Sequence, residues 1–138
     1  MSAGPPSSTP EQNRAVLLRF FDEVWTQGRR DSIKELFAKT GVLHEGGRDL
    51  RGPAEFTHVY DIMYAQFSGF SFKPIVSLGE GDLVCIHWSC SFVHISTRTP
   101  AHVTGTSIAR IKDGQIIEGW QNWDAAALAS QIPGFVAP

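Results

Sequence analysis

Apolar residues near the start of the chain repeat with the period of an α-helix. Thr9 can cap this first helix, with Pro10 at its first position, and Gly28 ends it. A shorter helix follows and stops at Gly41. The first helix presents one wide apolar stripe, typical of a helix packed on a core, that comprises Val16, Leu17, Phe20, Phe21, Val24 and Trp25.

The same period returns after a short extended segment. Residues 42–44 (VLH) form that segment, and the polar, glycine-rich sequence EGGRDLRG follows it as a loop. A third helix begins at Gly52-Pro53, where proline is tolerated, and breaks at Ser68-Gly69. The N-terminal half is therefore predicted to be helical, with three helices.

Beyond this point the apolar residues alternate with a period of two, which predicts strands from about 70 to 78 and from 83 to about 95. The strongest local signal is a β-hairpin from 104 to 124, because Asp113-Gly114 tolerates the positive φ angles of a tight turn. A short closing helix, residues 125–132, completes the pattern.

Helices grouped before strands, rather than alternating with them, predict the α+β class. We expect three N-terminal helices packed into the concave face of a strongly curved antiparallel sheet of three or four consecutive strands. Residues 11–138 would form this single domain, and residues 1–10, rich in Pro, Ser and Gly, a disordered tail. The mouth of such a cone is a common ligand site.

The composition excludes some classes of binding partner. The chain has 12 Lys+Arg and 14 Asp+Glu, a net charge of −2 without clusters, so we expect neither nucleic acid nor an anionic membrane as partner. No apolar run is long enough to span a bilayer and no signal peptide is visible, which predicts a cytoplasmic protein. The 4 Trp and 9 Phe suffice to line a cavity for an apolar ligand.

The sequence contains no motif for metal binding, redox chemistry or nucleotide binding. Cys85 and Cys90 are five residues apart, so they face opposite sides of one strand and are interpreted as inert, mostly buried thiols. The five histidines show no metal-ligand spacing, and neither a phosphate-binding glycine loop nor a nucleophile elbow is present. We therefore expect no metal and no cofactor.

From about residue 13 to 132 the sequence resembles the SnoaL-like polyketide cyclase family, within the cone-shaped fold of ketosteroid isomerase, scytalone dehydratase and nuclear transport factor 2. The resemblance rests on FFDEVWTQG, VLH, RGPAEF, GDLVCIHWS around Trp88, and ARIKDGQIIEGWQNWD. The last and most specific segment carries the pattern R-x-x-D-G-x-I-x-E-x-W-x-x-x-D from Arg110 to Asp124. It marks a broad superfamily rather than one reaction.

This resemblance implies an apolar pocket on the concave face, a homodimer formed through the convex sheet face, and aldol cyclisation without metal or organic cofactor. In the family pattern an Asp after the hairpin tryptophan acts as acid/base, helped by a His on the preceding strand. Here these positions are Gln121 and Ser107, and Gly119 precedes Trp120. Because glutamine cannot exchange a proton at neutral pH, the family's acid/base group is replaced.

Three residues are candidates for the missing catalytic group. His94 shares a strand face with Trp88, so it is either the general base of the pocket or a residue of the dimer seam. His44 is either a pocket residue or a structural hydrogen-bonding histidine. Asp124 is either catalytic or the N-cap of the closing helix. Arg110 and Glu118 are expected to pair across the hairpin.

Two functions of different classes remain open. One is a cofactor-free cyclase, isomerase, hydrolase or dehydratase acting on a small apolar or aromatic, oxygen-bearing molecule. The other is a non-catalytic module that binds such a molecule. Convergence of His44, His94 and Gln121 on one cavity of roughly 300 Å³ or more would favour the enzyme, with His94 or His44 as its base. Both histidine rings buried in structural hydrogen bonds away from that cavity would contradict it. The candidate substrate-binding residues are Gln121, Ser107, Trp88, Tyr60, Phe67, Trp123 and Phe20.

Overall fold

The computed structural model describes residues 8–138, so most of the predicted tail lies outside the described residues. Thr9 caps the first helix as predicted, and a capping box with Gln12 completes the cap. Within residues 8–138 no helix is both long and apolar enough to cross a membrane. The helices are α1 (Pro10–Phe20), continued by a π-helical segment (Phe21–Thr26), α2 (Ser32–Leu36), α3 (Gly52–Gln66) and α4 (Ala125–Gln131).

In the described part of the chain six strands form one sheet, more than the three or four predicted. They are β1 (Phe37–Glu45), β2 (Arg48–Arg51), β3 (Phe67–Glu80), β4 (Leu83–His94), β5 (Thr99–Lys112) and β6 (Gln115–Trp123). Their order across the sheet is β2-β1-β6-β5-β4-β3, and β1 runs parallel to β6. The expectation of a purely antiparallel sheet is therefore wrong for this one pair of strands. β1 comes from the helical half of the chain and pairs with the free edge of the hairpin strand β6.

The predicted hairpin is confirmed. Asp113 and Gly114 both have positive φ, 51° and 74°, the combination that a tight two-residue turn between twisted strands requires. β5 and β6 pair on either side of it, from Gly105 opposite Trp123 to Lys112 opposite Gln115. This register sets which side chains of β6 face the helices.

The sheet buries one face against α1, the π-helical segment and α3, which gives the predicted α+β cone. The core contains large side chains from both layers, among them Phe20, Phe21, Phe56, Trp88 and Phe92. The opposite, convex face carries a row of side chains that are direct neighbours on four strands: Leu78, Cys85, Ile108 and Trp120. We call these four residues the outer row.

Candidate active site

A cavity of about 80 Å³ lies between the helices and the concave face of the sheet. It is smaller than the roughly 300 Å³ expected, and smaller than the ~150 Å³ apolar cavity that holds a benzene ring in an engineered protein. A larger ligand therefore requires side chains of the wall to move. The wall is mostly aromatic and includes Phe21, Trp25, Phe72, Trp88, Phe92 and Trp123.

The π-helical segment supplies two of these aromatic side chains. An extra residue in the turn widens the helix locally, a feature often found at functional sites. Phe21 stacks on Phe72 of β3 with ring centroids 4.1 Å apart, and Trp25 reaches the same cavity one turn later. The segment therefore positions the helical side of the cavity.

Glu45 is the one carboxylate side chain of the cavity wall among the described residues. It ends β1 and lies beside Gln121 in the parallel register with β6. Gln121 Nε2 donates to Glu45 Oε2 at 2.8 Å, and Trp123 Nε1 donates a long hydrogen bond to Oε1 at 3.5 Å. Burial raises the pKa of Glu45, although Trp123, Arg48 and Gln121 act in the opposite direction.

A chain of hydrogen bonds connects Glu45 to the middle of the sheet. Trp88 Nε1 donates to Ser107 Oγ at 3.0 Å, and the Ser107 hydroxyl donates to Gln121 Oε1 at 3.0 Å. Gln121 then donates to Glu45. These polar side chains lie among apolar residues of the sheet, and each of them is hydrogen-bonded to the next.

The predicted substrate-binding residues divide into three groups. Gln121, Trp88 and Trp123 line the main cavity. Ser107, Phe20 and Gln121 line an adjoining cavity of about 30 Å³. Tyr60 and Phe67 line neither of these two cavities and are buried in the core instead.

His44 lies on the convex side of β1, away from the cavity. Its Nδ1 contacts Asp49 Oδ1 at 2.6 Å and its Nε2 contacts Glu118 Oε2 at 2.8 Å. Glu118 and then Asp49 raise the pKa of His44, because both stabilise the charged ring. Arg110 lies opposite Glu118 in the hairpin but binds Asp82 at 2.8 Å, so the predicted Arg110–Glu118 pair is wrong.

Replacing His44 with Gln is expected to destabilise the protein in a pH-dependent way. A raised folded-state pKa means that the charged ring contributes stability below about 6.5, its ordinary value, and that this contribution is lost as pH rises through the folded-state pKa. Urea unfolding from pH 5.5 to 9 should show the largest deficit at the acidic end. His87→Gln is the matched control, since His87 faces Thr106 rather than a carboxylate. A deficit that is constant with pH would contradict this expectation.

The other two catalytic candidates also lie outside the cavity lining. His94 keeps the strand face of Trp88 but sits at the end of β4, where its ring packs on Phe67 and its Nδ1 contacts Thr97 Oγ1 at 2.7 Å. Asp124 caps α4, with Oδ1 accepting from the Ala127 N–H at 2.9 Å. The structure therefore brings Gln121 to the cavity without His44, His94 or Asp124.

Glu45 is not among the candidates that the sequence predicts, because the predicted extended segment ends at His44 and the next residue is predicted to lie in a loop. β1 continues through Glu45. Strand alternation then places Glu45 on the same side as buried Leu43 and opposite to His44. The apolar Leu43 two residues earlier was the signal that could have found it.

Both cysteines are free thiols. Cys90 is buried in the cavity wall, where burial raises its pKa to about 12, so it stays protonated and unreactive. Cys85 is half-buried in the outer row. Among residues 8–138 no three His, Cys, Asp or Glu side chains are grouped so that they could hold a metal ion.

Comparison with known structures supports the fold. IdmH from Streptomyces antibioticus, a candidate polyketide cyclase, superposes with a TM-score of 0.79 at 21% identity over 87% of this chain and 97% of its own. A candidate SnoaL-like polyketide cyclase from Jannaschia sp. CCS1 gives 0.82 at 19% identity, over 97% and 100%. A protein from Catenulispora acidiphila with a ketosteroid isomerase-like fold gives 0.76 at 18% identity, over 94% and 97%.

At these identities the likeness establishes the fold alone, and no curated protein sequence matches the chain. The family is established separately, by a sequence model of the SnoaL-like domain that matches residues 17–119. That span includes α3, β3, β4 and most of the hairpin. The chain therefore belongs to the SnoaL-like domain family.

Proposed function

We propose that this protein is a cofactor-free acid/base enzyme acting on a small apolar or aromatic, oxygen-bearing molecule, with Glu45 as the general base. The observation that carries the proposal is one half-buried carboxylate in the wall of an aromatic cavity, with its pKa raised by desolvation. A raised pKa makes the ionised form of a carboxylate a stronger base. Aldol cyclisation and isomerisation both begin with the proton abstraction that such a group performs.

The reaction starts at a C–H bond next to a substrate carbonyl. A Glu45 oxygen takes the proton, the C–H electron pair forms the enolate C=C bond, and the carbonyl oxygen gains the negative charge. In a cyclisation the enolate carbon attacks a second carbonyl, and the alkoxide oxygen that forms takes the proton back from Glu45. In an isomerisation the substrate is a β,γ-unsaturated carbonyl compound, and its dienolate takes the proton back at the γ carbon. Both routes return the proton from Glu45 to the product, so the base is regenerated without a cofactor.

Two donors are available for the developing oxyanion. The Trp123 N–H reaches Glu45 only at 3.5 Å, the limit of a hydrogen bond, so a substrate oxygen can compete for it. Gln121 Nε2 carries a second N–H besides the one given to Glu45. Donors fixed beside the base stabilise charge where it forms in the transition state.

Hydrogen–deuterium exchange tests the proposal without knowledge of the natural substrate. Aromatic 1,3-diketones and β-ketoesters of increasing size would be incubated with the protein in D₂O, and loss of the acidic C–H signal followed by NMR. We expect exchange faster than in buffer for the members that fit. Exchange no faster than with buffer or heat-denatured protein across the panel would contradict the enzyme and favour the binding module.

The non-catalytic binding module is the second candidate, and the observation that favours it is Gln121, which cannot transfer a proton. In that case Glu45 only provides an acceptor for a ligand hydroxyl. Ligand binding measured by calorimetry, together with an unchanged exchange rate, would identify this function.

We also propose a homodimer formed through the outer row, located in the cytoplasm, where the two free thiols stay reduced. Leu78 is 56% exposed and Ile108 39%, in a continuous apolar row that a second copy of the same row can cover. Ile108→Lys is expected to convert the dimer to a monomer, as measured by light scattering after gel filtration. Val136→Lys, outside the row, should leave the mass unchanged. A monomeric wild type, or a dimeric Ile108→Lys variant, would contradict this assembly.

A further inference from the structure

We propose that Trp88 and Ser107 are positioning residues for Glu45: their hydrogen bonds fix the side-chain amide of Gln121 so that its N–H, and not its oxygen, faces the carboxylate. The inference rests on the proposed function for its catalytic meaning. Its physical content concerns the free protein and can be measured without a substrate.

The donor–acceptor direction of these hydrogen bonds follows from Trp88, the first residue of the series. An indole N–H can only donate, so Ser107 Oγ must accept from Trp88. The Ser107 proton is then directed to its other partner, Gln121 Oε1 at 3.0 Å. With its oxygen held by Ser107, Gln121 presents Nε2 to Glu45 at 2.8 Å. Each orientation in the chain is thus set by the one before it.

The first donor is held rigidly. Trp88 is 6% exposed and Ser107 5%. The Trp88 ring lies directly over Gly105, where an added Cβ would come within 2.4 Å of Cζ2. Phe72 and Phe21 pack on the ring with centroids 5.6 and 6.0 Å away. Close packing leaves the indole little freedom to turn its N–H away from Ser107.

The orientation of Gln121 controls which form of Glu45 is favoured. An N–H donor stabilises the carboxylate, whereas an amide oxygen in the same place would accept from, and so favour, the protonated acid. The other groups that act on Glu45 are the Trp123 N–H of β6 and the Arg48 charge of β2. Cys90 of β4 is a neutral thiol, and the π-helical segment and α3 contribute apolar side chains. Among the described residues that act on Glu45, Gln121 is therefore the one whose effect changes sign with its orientation.

The test is a pH titration of the Glu45 side-chain carboxyl carbon by NMR in the full chain, with Glu45→Gln assigning the signal. Ser107→Ala releases the amide oxygen of Gln121, so the Glu45 midpoint is expected to move upward by about one pH unit, the scale of one hydrogen bond to a charged group. Trp88→Phe, which keeps the ring but lacks the N–H, is expected to shift it in the same direction. Ser107→Thr, which keeps the hydroxyl, should restore the wild-type midpoint.

Thr106→Ala is the matched control, because this hydroxyl lies on the same strand, faces the convex side and contacts His87. Its Glu45 midpoint should equal that of the wild type. An unchanged midpoint in folded Ser107→Ala, or in Trp88→Phe if Ser107→Ala does not fold, would overturn the inference. Failure of the deuterium-exchange assay would contradict the proposed function while leaving this titration result intact.

Discussion

Replacing Glu45 with glutamine is expected to lower deuterium exchange of an acidic carbon substrate by roughly 10²–10⁴-fold, the usual contribution of a positioned general base. Glutamine has nearly the same shape and can still accept from Gln121, but it cannot take the proton. The measurement is the exchange rate under saturating substrate, with binding determined separately. Affinity should change much less than rate, because the lost interaction acts in the transition state.

One control variant and one stability argument separate lost chemistry from lost structure. Glu118→Gln removes a carboxylate from the same sheet on the convex face, where it binds His44, and should retain the wild-type rate. The raised pKa of Glu45 means that its ionisation opposes folding as pH rises above the ordinary value of 4.5. Glu45→Gln should therefore remain folded at neutral pH. A folded Glu45→Gln variant with the wild-type rate would exclude Glu45 as the base.

Replacing Gly105 with alanine is expected to lower the free energy of unfolding by about 1–3 kcal/mol, as over-packing of a core typically does. The new Cβ would lie 2.4 Å from Trp88 Cζ2 and 2.8 Å from the backbone oxygen of Asn122. Neither atom is the end of a flexible chain, so the indole must leave its place and its bond to Ser107. Urea unfolding measures the loss of stability. The Glu45 titration measures the loss of the Trp88–Ser107 hydrogen bond.

Gly119→Ala provides the matched control on the neighbouring strand and the same sheet face. Its added Cβ would meet Leu43 Cδ1 at 3.0 Å, and this flexible side-chain end can give way. We therefore expect a smaller loss of stability and an unchanged Glu45 midpoint. Equal stability of Gly105→Ala and the wild type would show that the indole does not need the space above Gly105.

The parts of the fold that the sequence predicted depend on local interactions. The Asp113-Gly114 turn needs two positive φ angles. The Thr9 side chain accepts a hydrogen bond from the backbone N–H of Gln12, in the first turn of α1. The parallel pairing of β1 with β6 joins residues more than seventy positions apart, for example Glu45 and Gln121, and no local pattern encodes it. The π-helical segment was also missed, because its apolar stripe continues that of α1.

The candidate site was predicted only in part, for the same reason. Alternation along the hairpin correctly put Gln121 and Trp123 on one face, and this face lines the cavity. Successive side chains of a strand point to opposite faces of the sheet. The predicted segment ends at His44, which faces outward, and therefore leaves out Glu45, which faces the cavity. Only the register between β1 and β6 brings this carboxylate next to Gln121.

We propose that Glu45 takes the role of the carboxylate that the family resemblance implies after the hairpin tryptophan. Gln121 occupies that position, and Glu45 lies on the adjacent strand with its Oε2 2.8 Å from Gln121 Nε2. In this proposal the acid/base group lies one strand away from its family position, and Gln121 is the hydrogen-bond donor that orients it.

The pH dependence of the exchange rate tests this claim most directly. If Glu45 is the base, the rate rises with pH as the carboxylate ionises, with a midpoint above 4.5 that matches its NMR titration, and this limb disappears in Glu45→Gln. A limb near 6.5, the ordinary histidine value, that persists in Glu45→Gln would contradict the claim and return the role to a histidine.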